Sequence, residues 1–141
     1  MHASFRSMSF LFLFFALGLP ASVYADPPSK EDCVQAGLKD CKPLTAFVSK
    51  LRTAVKNNDK ATVAGMIFYP IEVQGGDGTE IKNKEAFIKN YDKIMTSAVQ
   101  EVLLEDPFVT PRQIIQFVNE KAQIWLDVDG NKLLVGTIIV E

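Results

Sequence analysis

The dominant hydrophobic period of this chain changes after Arg112, and that change limits the fold more than any single motif. Between Pro43 and Leu104 most apolar residues recur three or four positions apart, whereas between Gln113 and Val140 they alternate. The first spacing is that of a helix face and the second that of a half-buried strand. Helices first and a meander of strands last predict an α+β domain with an antiparallel sheet.

Pro43 suits the first turn of a helix, and Leu44, Phe47, Val48, Leu51 and Val55 then share one face. Asn57 and Asn58 end that helix, and Asp59 is the expected cap of a second, Lys60 to about Met66. Tyr69-Pro70 should stop it, because the residue before proline is pushed towards extended backbone. Ile71 and Val73 alternate with Glu72 and Gln74, which reads as a short strand. Gly75, Gly76 and Gly78 follow, with Ile81 and Lys82 expected to pair on the far side. Asn83 then caps the longest helix, running to about Leu104, with Phe87, Tyr91, Ile94, Met95, Ala98 and Val102 as its buried stripe. Three strands are predicted after it: Gln113–Val118, Lys121–Val128 and Lys132–Val140. Asn119-Glu120 would link the first two, and Asp129-Gly130 is a hairpin signal between the last two. The last of them, "KLLVGTIIV", is apolar on both faces, so it should be central or covered on both sides.

The first 25 residues read as a secretory signal peptide. Arg6 precedes a ten-residue apolar block, Phe10 to Leu19, and Val23 and Ala25 occupy the small-residue positions before a cut at Asp26. An uncleaved anchor is the alternative, but spanning a bilayer takes about 20 residues. The expected location is periplasmic or secreted. Residues 26–42 form a polar lead-in, loosely ordered at its start, and residues 43–141 a single domain. Residues 26–141 hold 14 basic and 17 acidic side chains, a net charge of −3 with the signs interspersed. Without a basic stripe, nucleic acid is not an expected partner. The one histidine, His2, lies in the signal segment. Ser-His-Asp and Cys-His mechanisms are thereby excluded after cleavage, and the commonest zinc ligand is gone. No metal or cofactor is expected.

Cys33 and Cys41 should form a disulfide in an oxidising compartment. On a continuous helix residues eight apart stand about 12 Å apart, and a disulfide needs Cα atoms within about 7 Å. The chain must therefore reverse between them, with Gly37 the natural place. A reactive thiol pair is the alternative reading; it lacks both CxxC spacing and a nearby histidine.

Three stretches, "AVKNNDKATVAGMIFYPIEV", "IKNKEAFIKNYDKIMT" and "IIQFVNEKAQIWLDVDG", carry a family resemblance. An N-terminal helix pair leads into a strand bearing Tyr69-Pro70, followed by Ile81, Asn83 and Phe87 at a helix start, and then by Tyr91-Asp92-Lys93-Ile94. The chain from about Pro43 to Glu141 resembles the small exported bacterial proteins of the nuclear transport factor 2-like superfamily, of cystatin-like α+β fold. It departs from them at Asn119–Gln123, where relatives often carry a glycine. The resemblance implies a curved antiparallel sheet wrapped around one long helix as a cone, often with a pocket. It also implies that a homodimer through the sheet is a natural oligomer. Enzymes of the superfamily use carboxylate, tyrosine and histidine groups in the pocket, and many exported members have no known activity.

Site signals are sparse. The glycine turn fits neither GxGxxG nor GxxxxGK[ST], so it reads as a plain turn rather than a phosphate cradle. "DVDGNK" fails as a calcium loop, because counting from Asp127 places Lys132 and Ile138 where glycine and glutamate are required. Candidate pocket residues are Tyr69, Glu72, Tyr91, Trp125 and Asp127. An Asp-Tyr pair in an apolar pocket would suit proton transfer; an exposed carboxylate and a packed aromatic is the plainer reading. The expected function is a non-catalytic exported module binding a small molecule or a protein. The alternatives are a small isomerase- or hydrolase-type enzyme and an inhibitor or immunity-like protein.

Overall fold

The computed structural model describes residues 26–75 and 78–141, so the signal peptide expected over residues 1–25, and Gly76 and Asp77 of the glycine turn, lie outside the described residues. The lead-in is more ordered than expected. It contains helix α1, Lys30–Gln35, opened by a capping box in which the Ser29 hydroxyl accepts from the Asp32 N–H and Asp32 accepts from the Ser29 N–H. The chain reverses at Gly37, whose φ of +97° favours glycine. Cys33 and Cys41 are disulfide-bonded, with Cα atoms 5.4 Å apart and Cys33 fully buried.

Helix α2 runs Lys42–Lys56 and buries Leu44, Val48, Leu51 and Ala54, with Phe47 and Val55 at the margin of the core. Asp59 caps α3, Lys60–Ala64, accepting from the Thr62 N–H at 3.1 Å and its hydroxyl at 2.6 Å. Tyr69-Pro70 does not end this helix. Gly65 does, and strand β1 already begins at Ile67 and runs to Gln74 with a cis Tyr69-Pro70 peptide inside it. Strand β2, Thr79–Ile81, returns antiparallel, with Ile71 opposite Ile81 and Glu72 opposite Glu80.

The expected long helix is three short ones: α4 Lys84–Lys89, α5 Tyr91–Ile94 and α6 Ser97–Val102. Asn83 caps the first as predicted, accepting from the Ala86 N–H at 2.8 Å. Polar side chains then compete with the helix for its backbone groups. The Asn90 amide donates to the Ala86 carbonyl at 2.9 Å, Thr96 caps α6, and the Gln100 amide donates to the Met95 carbonyl at 2.8 Å. The stripe survives both breaks, since Phe87, Tyr91, Ile94, Met95 and Val102 are all buried, joined by Val99. Arg52 ties α2 to the end of α6. Its guanidinium donates to the carbonyls of Leu103 at 2.5 Å and Glu105 at 2.7 Å.

Four more strands complete the sheet: β3 Phe108–Val109, β4 Ile115–Val118, β5 Ala122–Asp129 and β6 Lys132–Val140. β3 had no expectation attached to it. β4 starts two residues later than predicted, because Gln113 sits at φ +65° in a turn closed by its N–H donating to the Thr110 carbonyl. The strand order is β2-β1-β6-β5-β4-β3, and β1 runs parallel to β6. The sheet is therefore mixed rather than antiparallel throughout. Its parallel pair joins the strand before the α4–α6 helices to the last strand of the meander. The last strand is central, as its apolar composition required. The glycine-free link after β4 is held by the Asn119 side chain, which accepts from the N–H groups of Lys121 and Ala122. The β5–β6 hairpin turns on Gly130-Asn131, one residue later than expected, with Asp129 still paired to Lys132.

A bulge crosses the middle of the sheet. Trp125 pairs with Thr137 but Leu126 with Val135, which leaves Gly136 as the extra residue. The β1–β6 register shifts at the same level, between Ile67 and Glu72. The extra residue moves the buried side of β6 from Leu133 and Val135 to Ile138. All helices that contact β5 or β6 extensively, α2 and α6, pack on this buried side.

Candidate functional site

The five candidate residues divide between the two sides of the sheet. Tyr69 and Tyr91 lie on the helix side. The Tyr69 ring meets Phe87 edge-on at 6.3 Å, and Tyr91 meets Phe87 the same way at 6.0 Å. The Tyr69 hydroxyl donates to the Ala64 carbonyl at 2.7 Å, and burial, with Glu85 nearby, pushes its pKa up to about 12. Tyr91 is buried and its hydroxyl has no protein hydrogen-bond partner. Burial raises its pKa first, and the charges of Asp92 and Asp59 add to that. Lys60 closes this corner, its ammonium 5.2 Å from the Tyr91 ring centre and 3.1 Å from Asp92.

Glu72, Trp125 and Asp127 occupy the other side. The buried residues of β5 are Ala122, Ile124 and Leu126, so Gln123, Trp125, Asp127 and Asp129 point away from the core. Register places Glu80, Glu72, Thr137, Trp125, Gln116 and Phe108 in one row across all six strands. The Trp125 indole N–H donates to Gln123 at 3.2 Å, which leaves the half-buried ring as an apolar surface. The Asp127 carboxylate leans over Gly136, where any Cβ would collide with it. Asp127 is exposed, and among the described residues no tyrosine accompanies it on this face. General acid–base work between two groups needs hydrogen-bond reach of about 3 Å, and the fold sets Asp127 and Tyr91 on opposite sides of the sheet.

The glycine turn turns the chain. The Gly78 N–H donates to the Gly75 carbonyl at 3.3 Å, and Gly75 at φ +102° lies so close to the end of β6 that a Cβ would strike the Val140 carbonyl. "DVDGNK" is the β5–β6 hairpin. Among the described residues no group of three or more His, Cys, Asp or Glu side chains is placed to hold a metal ion.

Two features were missed by pattern reading. One is a concavity of about 400 Å³ between the lead-in and α2, bounded by Pro27, Pro28, Leu44, Val48, Arg52 and Pro107. It contains none of the five candidates. The other is a second apolar layer. Phe108, Val118, Trp125, Leu134 and Ile139 are half-buried yet none packs against the main core. The signal for it was present in the alternate positions of β4, β5 and β6, but only the bulge at Gly136 brings Leu134 and Ile139 to one face. Exposed carboxylates of Glu72, Glu80, Asp127 and Asp129 border this layer. Comparison with protein-family models, with curated proteins and with solved structures finds no match.

Proposed function

We propose that the chain is an exported, non-catalytic binding module, and that it engages its partner through the uncovered face of the sheet. One observation carries this reading: the titratable candidates do not converge, while an apolar layer around Trp125 stands outside the core. Contiguous exposed apolar surface with a polar border is characteristic of interaction sites. The disulfide supports an oxidising location, and no described helix is long and apolar enough to cross a membrane. The cone-like, cystatin-like form of the nuclear transport factor 2-like superfamily belongs to the same proposal. It is supported by the α+β order, by a strand that carries the Tyr69-Pro70 pair, and by Asn83 at the start of the helix that holds Phe87. An inhibitor or immunity-like role is one form such a module could take.

A photoreactive side chain at Gln116 or Ile139, compared with one at Lys50 on the exposed side of α2, tests the reading in the exporting cell. Crosslinks to another molecule from the sheet positions alone are expected. Equal crosslinking from Lys50, or none from the sheet, overturns it. N-terminal sequencing of the exported chain should begin at Asp26; an intact Met1 would remove the export element.

A further inference from the structure

The partner class of this face can be read from how charge is distributed over the molecule. The strand positions that alternate onto the uncovered face carry four carboxylates, Glu72, Glu80, Asp127 and Asp129, against one lysine, Lys132. Their net charge of −3 equals that of residues 26–141 as a whole, so the remaining side chains balance at thirteen acidic and thirteen basic. All five are exposed. The arrangement also opposes local stability. Glu72 and Glu80 are direct cross-strand partners on the β1–β2 hairpin, and like charges directly opposite each other destabilise a strand pair. No ion pair relieves them; among the described residues the salt bridges are Lys60–Asp92 and Lys121–Glu101, neither on this face. Gly136 adds to the pattern, since its missing side chain is what lets the Asp127 carboxylate lie inward over the sheet towards the Trp125 row.

We propose that the uncovered sheet face docks a cationic amphipathic segment of another protein, with apolar side chains against Trp125, Leu134 and Ile139 and Lys or Arg against Glu72, Glu80 and Asp127. This rests on the binding-module reading and specifies its partner. A second copy of this chain is the competing occupant, and charge decides against it. A face-to-face homodimer would oppose two surfaces of net charge −3 with the apolar layer between them, and like-charge juxtaposition across an interface costs several kcal/mol. A basic segment meets the same carboxylates as attraction, and a tryptophan face adds cation–π contact with Arg or Lys.

Trp125 is the single tryptophan of the chain, so its emission reports occupancy of the face directly. The probe is a tryptophan-free peptide of about 18 residues, five helical turns, with a leucine stripe flanked by lysines. Matched peptides replace every lysine by glutamine or by glutamate. The lysine peptide should shift Trp125 emission saturably. The double variant Glu72→Gln/Asp127→Asn, both exposed positions, should bind it about tenfold more weakly, and raised salt should weaken the wild-type interaction similarly. The glutamate peptide should leave the emission unchanged. Equal binding of the glutamine peptide overturns the cationic partner class while leaving the face as a docking surface. Unchanged emission with all three peptides overturns the inference, and the broader reading then stands or falls on the crosslinking result alone. A dimer by sedimentation, dissociated by Trp125→Lys, overturns the inference in favour of the second copy.

Discussion

Tyr69 and Tyr91 both meet Phe87 edge-on, but only Tyr69 has a partner for its hydroxyl. A buried hydrogen bond contributes about 1 kcal/mol net, whereas a buried polar group left unpaired costs about 1–3 kcal/mol. Tyr69→Phe should therefore lower stability by about 1 kcal/mol, and Tyr91→Phe should be neutral or stabilising. Urea denaturation of the two variants checks the contrast. A loss above about 1 kcal/mol in Tyr91→Phe would show that the hydroxyl has a partner after all.

The pH dependence of stability should have two separate limbs. The carboxyl of Asp59 is held below its ordinary range by the Thr62 hydroxyl first and the Thr62 N–H second, and Ser29 does the same for Asp32. A lowered carboxylate contributes stability above its unfolded pKa and loses it as pH falls through the folded value. The caps of α1 and α3 should thus weaken only below about pH 4. Tyr69 acts in the opposite sense. Its folded pKa lies near 12, so the folded chain keeps a proton that the unfolded chain releases from about pH 10. Its contribution is whole below pH 10 and fades as pH rises towards 12. Asp59→Asn, which can still cap, should flatten the acid limb, and Tyr69→Phe the alkaline one, in thermal melts taken across the range. An unaltered acid limb in Asp59→Asn would remove this assignment.

Local chemistry was the legible part of the fold. Asp59 and Asn83 mark helix starts because a short polar side chain can satisfy an N–H two or three residues on, and both do so. The span of β6 and its central place follow from nine residues with hardly a polar side chain among them. The antiparallel meander was legible, but the pairing of β1 with β6 was not. Nothing in the alternation of Ile71 and Val73 distinguishes a parallel neighbour from an antiparallel one, so the mixed sheet went unforeseen. The stripe from Phe87 to Val102 has the same spacing whether its helix is continuous or broken, and the breaks depend on which backbone group Asn90, Thr96 and Gln100 bond. At the candidate site, alternation correctly put Trp125 and Asp127 on one side of β5. The side that meets the helices is decided by Ile124 and Leu126 in the folded core, so Tyr91 and Asp127 could be paired only on paper.

Gly75 and Gly78 should differ in what they tolerate. Both have positive φ, but Gly75 abuts the Val140 carbonyl while Gly78 faces open space. Alanine at Gly78 meets only the left-handed backbone cost, about 1–2 kcal/mol. Alanine at Gly75 adds a backbone collision that requires β1 and β6 to move apart, and should exceed that figure clearly. Comparison of denaturation midpoints decides; equal losses would mean that the turn is not packed on β6.

Arg52 should resist conservative exchange. Its Nε and Nη2 donate to two different carbonyls, Leu103 and Glu105, just beyond α6. A planar fork reaches both at once and an ammonium does not. Hydrogen bonds to a charged group contribute about 1.5–3 kcal/mol each, so Arg52→Lys should lose about one bond's worth. Hydrogen exchange at the α6 amides would localise the loss, and protection equal to wild type would show that Arg52 is not its anchor.

The disulfide should set the order of the N-terminal region while the sheet persists without it. Cys33 is fully buried beside Leu38, and Cys41 stands at the start of α2, so the bond pins the α1 turn onto the core. Closing the nine-residue loop between them is worth about 2.5 kcal/mol in the chain-entropy account. Replacing both partners, Cys33→Ala with Cys41→Ser, leaves no thiol to form mixed disulfides and should lower stability by at least about that amount. It should also release α1 and the lead-in residues Pro27 and Pro28 that wall the concavity along α2. The β1, β5 and β6 amides, whose partners lie far from the loop, should keep their relative protection in hydrogen exchange. Loss of protection across the whole sheet instead would mean that α1 and the sheet unfold as one cooperative unit.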